Sequence, residues 1–142
     1  MDRDKERLLN KLDGTDDLDA CWPFRGARKP GGYGNFWLRG AVIGAHVAAY
    51  RLFVGEVPPG KEVDHLCHKA EECEGGHTCP HRRCCNWRHL AAVTHRENDL
   101  RGRGVSAVNA KKTQCPRGHD YDYTTPGGVG RRCRTCDRAR RQ

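Results

Sequence analysis

The chain has little from which to build a large apolar interior, since only 36% of its 142 residues are hydrophobic. No apolar run approaches the ~20 residues that span a bilayer, which excludes a membrane-spanning helix. The opening Met-Asp-Arg-Asp-Lys-Glu-Arg is charged and lacks an apolar leader, so secretion is not expected. No internal repeat is present beyond a recurring Cys/His spacing. The length confines the fold to one domain, or one domain with a small appendage.

Cysteine, histidine and glycine are abundant instead, at nine, eight and 17 residues. Nine cysteines in so small a chain mean either disulfides in a secreted protein or metal sites in an intracellular one. Histidines interleaved with the cysteines favour zinc, because disulfides need no histidine. The net charge of +8 is unevenly placed. Residues 101–142 carry eleven Lys/Arg against three acids, and residues 1–100 balance at fifteen of each sign. A neutral body with a basic tail points to polyanion binding concentrated in the tail.

Local signals divide the chain into four regions. Residues 1–20 form an N-terminal helix and acidic linker, with Leu8, Leu9 and Leu12 at helical spacing. Residues 21–102 form the body. There the spacing predicts a hairpin of Tyr33–Leu38 and Ala41–Ile43 turning at Arg39-Gly40, with alternate aromatics packed inward. A helix over Ala45–Val54 and a short strand at Glu62–Leu66 follow. Thr94-His95-Arg96-Glu97 is a capping-box pattern that starts a helix at about His95, with Gly102 and Gly104 ending it. The Cys/His-rich insert at 68–83 is too polar to pack alone and needs a metal to order it. Residues 103–114 read as a linker and 115–142 as a basic tail.

The chemistry concentrates between Val63 and Gly102. Asp64 directly precedes His65, His89 lies 24 residues on, and Asn98 follows nine residues later. Hydrolysis of a phosphodiester needs a water-activating base, for which histidine suits neutral pH, and a cation beside the leaving oxygen. Asp and Asn oxygens suit Mg²⁺, which keeps several waters and few protein ligands.

Val63-Asp64-His65-Leu66-Cys67, Cys84-Cys85-Asn86-Trp87-Arg88-His89-Leu90 and Val93 to Asn98 resemble the three blocks of phage-type HNH endonucleases. Cys21-Trp22, Gly32-Tyr33-Gly34 and His46 to Tyr50 resemble the region preceding that core. The resemblance spans roughly residues 21–102. It implies an α+β fold: a small zinc-stabilised ββα-metal core with an N-terminal hairpin and helix region and a C-terminal zinc knuckle. It also implies His65 as general base, and Asp64 and Asn98 as Mg²⁺ ligands. Trp87 stands where the family usually has proline, and Cys85 replaces an apolar residue.

Cys21, Cys67, Cys84 and His89 are spaced as in the structural zinc site of His-Cys box homing endonucleases. In the insert, His68, Cys73, Cys79 and His81 are the simplest second zinc set. His77 could replace one histidine there, and Cys84 could be shared differently. Cys115, His119, Cys133 and Cys136 form a Cys-x3-His…Cys-x2-Cys knuckle around a small hairpin. Twelve ligands then leave Cys85 as a buried small residue. His46, heading a helix, is expected to be a hydrogen-bonded structural histidine, and His95 an exposed or ion-facing one.

The functional expectation is an Mg²⁺-dependent DNA endonuclease with up to three structural zincs, acting in the cytoplasm of a bacterial or phage-infected cell. DNA phosphates would meet Arg82 and Arg83 on the insert, Arg96 and Arg101 on the helix, and Arg131, Arg132, Arg134, Arg138, Arg140 and Arg141 on the tail. No membrane partner is expected, and double-strand cutting would favour a homodimer. The rival is a non-catalytic zinc nucleic-acid-binding protein on a degenerate HNH scaffold. A secreted disulfide protein ranks third.

Overall fold

The computed structural model describes residues 2–128 and 130–141. It divides into two compact units, Met1–Arg103 and Gly104–Gln142. The fold is α+β, built from short helices and three two-stranded antiparallel sheets. Among the described residues, no helix is long and apolar enough to cross a membrane.

In the first unit, α1 (Arg3–Leu9) starts at Asp2, whose carboxylate accepts from the Asp4 amide at 3.0 Å. Its Leu8, with Leu12 just beyond, enters the core rather than lying in a detached leader. Strands β1 (Asn35–Leu38) and β2 (Ala41–Gly44) are joined by Arg39 and Gly40, both at positive φ (48° and 92°). That backbone suits a two-residue hairpin whose twist matches its strands. Phe36 and Leu38 point inward while Trp37 faces out.

Helix α2 (Ala45–Phe53) buries Ala45, Ala48, Ala49 and Leu52, a stripe at i, i+3, i+4 and i+7. Its alanines let the hairpin approach closely. At Gly34 a Cβ would lie 2.9 Å from the Ala45 Cβ and 2.5 Å from the Phe24 ring, so only glycine fits.

Strands β3 (Lys61–His65) and β4 (Leu90–Thr94) pair from Lys61↔Thr94 to His65↔Leu90, and α3 (His95–Arg101) follows directly. Thr94 and Glu97 form a full capping box at the start of α3. These three elements are the ββα unit. The intervening insert is drawn in by two short 3-10 turns, Pro80–Arg83 and Trp87–His89.

In the second unit, the segment read as a linker carries helix α4 (Val105–Lys111). The sequence there has no side-chain cap, which left the helix without a start signal. A minimal hairpin of β5 (Tyr123–Thr124) and β6 (Arg131–Arg132) leads into α5 (Arg134–Arg140).

Candidate active site and metal centres

Strand alternation sorts the residues of β3. Val63 and His65 turn into the core, and Glu62 and Asp64 turn to the opposite face. Helix α3 lies on that second face. Its Asn98 donates from Nδ2 to Glu62 Oε1 at 2.6 Å, and its Arg101 Nη1 stands 3.0 Å from Asp64 Oδ2. His95 reaches Glu62 Oε1 and Asp99 Oδ2, each at 3.5 Å. On this face Asn98 and His95 thus meet Glu62, His95 also meets Asp99, and Asp64 meets Arg101. Carboxylate and amide oxygens are the donors that a hard divalent cation takes.

His65 sits on the other face and is 6% exposed. Its Nε2 lies 3.0 Å from the Cys84 carbonyl oxygen. A carbonyl can only accept, so Nε2 carries the proton and Nδ1 of the neutral ring is left as the acceptor. Burial lowers the pKa of His65, an effect partly opposed by the Cys84 carbonyl and by Asp64. The ring is consequently neutral at physiological pH. The backbone amide of His65 donates to Asp64 Oδ1 at 2.7 Å, which fixes the carboxylate beside it.

The His65 ring packs against His46 at 4.8 Å and Tyr33 at 6.2 Å between centroids. His46 is not hydrogen-bonded as the sequence suggested. Its Nδ1 is buried without a partner above Gly44, where a Cβ would come within 3.1 Å of that nitrogen. Burial, with the His65 ring and Lys29 nearby, holds the His46 pKa down to about 3.

Three Cys/His sets each bring four ligand atoms within 4.8 Å of one another: Cys21, Cys67, Cys84 and His89; His68, Cys73, Cys79 and His81; Cys115, His119, Cys133 and Cys136. A tetrahedral zinc with Zn–S near 2.3 Å and Zn–N near 2.0–2.1 Å has ligand–ligand edges of about 3.4–3.8 Å. Cys21 Sγ and Cys84 Sγ stand 3.7 and 3.6 Å from His89 Nδ1. Cys79 Sγ is 3.6 Å from Cys73 Sγ and 3.5 Å from Nδ1 of both His68 and His81. Cys115 Sγ is 3.6 Å from His119 Nδ1 and 3.7 Å from Cys136 Sγ.

Each set can thus hold a zinc ion. Thiol chemistry agrees in the first set. The Cys67 thiol holds Cys84 down to about 4, while its bond to Cys84 and burial hold Cys67 far above the ordinary thiol range. Burial and the charge of Cys84 push Cys21 up to about 11. Three crowded sulfurs cannot all ionise without a cation among them.

Cys21 reaches this set through backbone pairing. Pro23 bridges to Cys84, the Cys85 amide donates to Trp22 O at 2.9 Å, and the Phe24 amide to Arg83 O at 2.8 Å. Asn86, fully buried, donates to Leu18 O at 2.8 Å and Ala20 O at 2.7 Å while its Oδ1 accepts from the Arg88 amide. Trp87, in place of the family's proline, stacks on Phe53 at 4.0 Å and meets Trp22 edge-on at 4.7 Å. Cys85 is buried in the core.

The arginines divide by use. Arg83 donates to Phe24 O from two nitrogens, and Arg82 donates to Gly31 O and lies over Tyr33. Both therefore bind the insert to the body, so neither is a freely offered cation. Arg101 pairs with Asp64, while Arg96 is exposed. In the tail, Arg131 bonds the carbonyls of Asn109 and Lys112, Arg132 pairs with Asp137, and Arg134 lies over Tyr123. Arg138 and Arg140 are exposed.

A family model described as an HNH endonuclease matches residues 44–74, from the end of β2 through α2 and β3 into the insert. The chain resembles the phage-type HNH endonucleases. The HNH match includes Asp64 and His65 and stops short of His89 and Asn98. Two proteins of Escherichia phage T7 are similar to the chain. Protein 7.7 is 28% identical over 81 residues, 57% of this chain and 53% of that protein. Protein 2.8 is 29% identical over 104 residues, 72% of this chain and 63% of that protein. The chain thus spans 53% and 63% of the length of these relatives. No solved structure matches it.

Two residues escaped the sequence reading. Glu62 shares the Asp64 face, and the signal was the two-residue strand period. Asn86 had no local signal, because its partners are 66 and 68 residues away in the chain.

Proposed function

We propose that the chain is a zinc-stabilised, Mg²⁺-dependent HNH endonuclease that hydrolyses DNA phosphodiesters, phage-encoded and used in homing or DNA processing. The observation that carries this reading is the 3.0 Å contact of His65 Nε2 with the Cys84 carbonyl, which leaves Nδ1 as a base. Cys84 is also a ligand of the first zinc set, so the scaffold orients the reactive ring.

His65 Nδ1 takes a proton from the water that attacks phosphorus. The P–O3′ bond breaks, which yields a 5′-phosphate and a 3′-hydroxyl. Asp64 and Asn98 would hold the Mg²⁺, which when bound would supply positive charge where the leaving oxygen becomes negative. Glu62 orients the Asn98 amide through its 2.6 Å bond. Arg101 neutralises Asp64 when no cation is there, and is free to meet a phosphate once released. The exposed arginines Arg96, Arg138 and Arg140 supply salt-dependent affinity for the duplex. Cutting both strands would use two copies of the chain.

Supercoiled plasmid with Mg²⁺ tests the reading. Nicked or linear product is expected from wild type and lost in His65→Ala and Asn98→Ala. Undiminished cutting by His65→Ala would remove His65 as the base. DNA binding without cutting under several divalent cations would instead favour the non-catalytic binding protein.

A further inference from the structure

Beside the reactive residues lies a cavity of about 430 Å³, most of whose lining has no role assigned so far. Its walls carry three cations, Lys29, Arg51 and Lys61, against the single carboxylate of Glu62. Asn98 and Glu62 line one side, from the face of β3 that α3 covers. Tyr33, His46 and Val63 line the other, from the core face where His65 stacks. The cavity is thus lined by residues from both faces of β3, and it reaches Asn98 on one side and the rings that pack against His65 on the other.

The cations stand on ordered backbone. Lys29 opens the tight turn in which the Gly32 amide donates to Lys29 O at 2.9 Å and the Lys29 amide to Tyr33 O at 2.8 Å. Lys61 begins β3 opposite Thr94. Arg51, on α2, is steadied by Glu56 at 3.7 Å. Lys29 and Lys61 are exposed, and no ion pair engages either among the described residues. A net positive, open cavity with an aromatic wall and Asn98 at its side suits a strand of polyanion.

From this we infer that the cleft between the Lys29 turn, α2 and β3 seats the DNA backbone flanking the scissile phosphodiester, with Lys29 and Lys61 on its phosphates and the sugar against Tyr33. The inference rests on the nuclease reading for the identity of the scissile bond, but its binding readout does not depend on cutting. None of the arginines that charge patterning alone nominated lines this cleft. It orients the strand along β3, which a basic tail cannot do.

The test is fluorescence anisotropy of the full chain with a short labelled duplex in Ca²⁺, titrated across salt concentrations, with plasmid cleavage in Mg²⁺ alongside. Each neutralised phosphate contributes a slope of about −0.9 to log K against log salt. The double variant Lys29→Ala/Lys61→Ala is expected to flatten that slope by about 1.8, for unrelated sequences alike. Between low and moderate salt, a fourfold span, that difference amounts to about a tenfold smaller loss of affinity. Lys11→Ala, at an exposed lysine outside the cleft, is the control and should keep the wild-type slope. An unchanged slope in the double variant, with wild type still cutting, overturns the cleft and leaves the nuclease standing. A flattened slope with no cutting under any divalent cation upholds the cleft and overturns the nuclease reading.

Discussion

The two units reach order by different means. The first encloses Leu8, Trp22, Phe24, Phe36, Leu38, the alanine stripe of α2 and Leu90 in one apolar cluster, and its two Cys/His sets lie outside that cluster. In the second, the buried apolar residues among those described are Ala107, Cys115 and Cys133, and two of these three belong to its Cys/His set. A body with a core can use zinc to fix geometry, such as the Cys84 carbonyl on His65. A tail with almost no core has in its Cys/His set the means for a bound metal to order it.

Removing zinc should separate the units most strongly. With a tight chelator, or with Cys133→Ser, amide resonances of residues 115–141 are expected to collapse to unfolded positions while the core of the first unit persists. Simultaneous loss of both units would break the comparison. Metal analysis should give three zincs per chain, falling to two in Cys133→Ser. The converse change is Leu8→Ala, fully buried in the first unit, which should cost about 2–5 kcal/mol there and leave the tail's zinc affinity unaltered.

Asn86→Ala should cost about 2–3 kcal/mol in urea unfolding, because a fully buried amide that bridges the Leu18 and Ala20 carbonyls is lost. It should also weaken zinc retention at Cys21, which sharpens the claim that hydrogen bonding delivers that ligand. The smallest effect concerns acid. The His46 pKa drops from 6.5 to about 3 on folding, through burial and the nearby His65 and Lys29. The unfolded chain binds this proton as pH falls below 6.5 and the folded chain does not, so the contribution is whole above 6.5 and is lost as pH falls towards 3. The loss is about 2 kcal/mol by pH 5. His46→Gln should flatten the urea midpoint against pH over that range, and an unchanged acid limb would assign it to the zinc ligands instead.

Much of the local structure was legible in the sequence. Thr94 and Glu97 are three residues apart, Arg39-Gly40 are neighbours, and the α2 stripe repeats every turn, so short-range sterics and hydrogen bonding specify them. Helix α4 was missed because Val105–Lys111 has neither a capping side chain nor a core-sized apolar stripe. His46 was misjudged because an unpartnered nitrogen leaves no mark in a sequence.

By itself, the sequence determined which residues have metal-ligating chemistry, while for the second set it left His77 and a shared Cys84 open until the distances grouped the ligands. It also placed Asp64 next to His65, which strand geometry must send to opposite faces. Only the tertiary structure decided which His65 nitrogen is free, how Cys21 comes to Cys84, that Glu62 joins Asn98, and that Lys29, Arg51 and Lys61 ring one cavity. Those outcomes depend on segments tens of residues apart being packed into register. Such contacts are fixed by the shape of the core between them, and intervals along the chain do not record that shape.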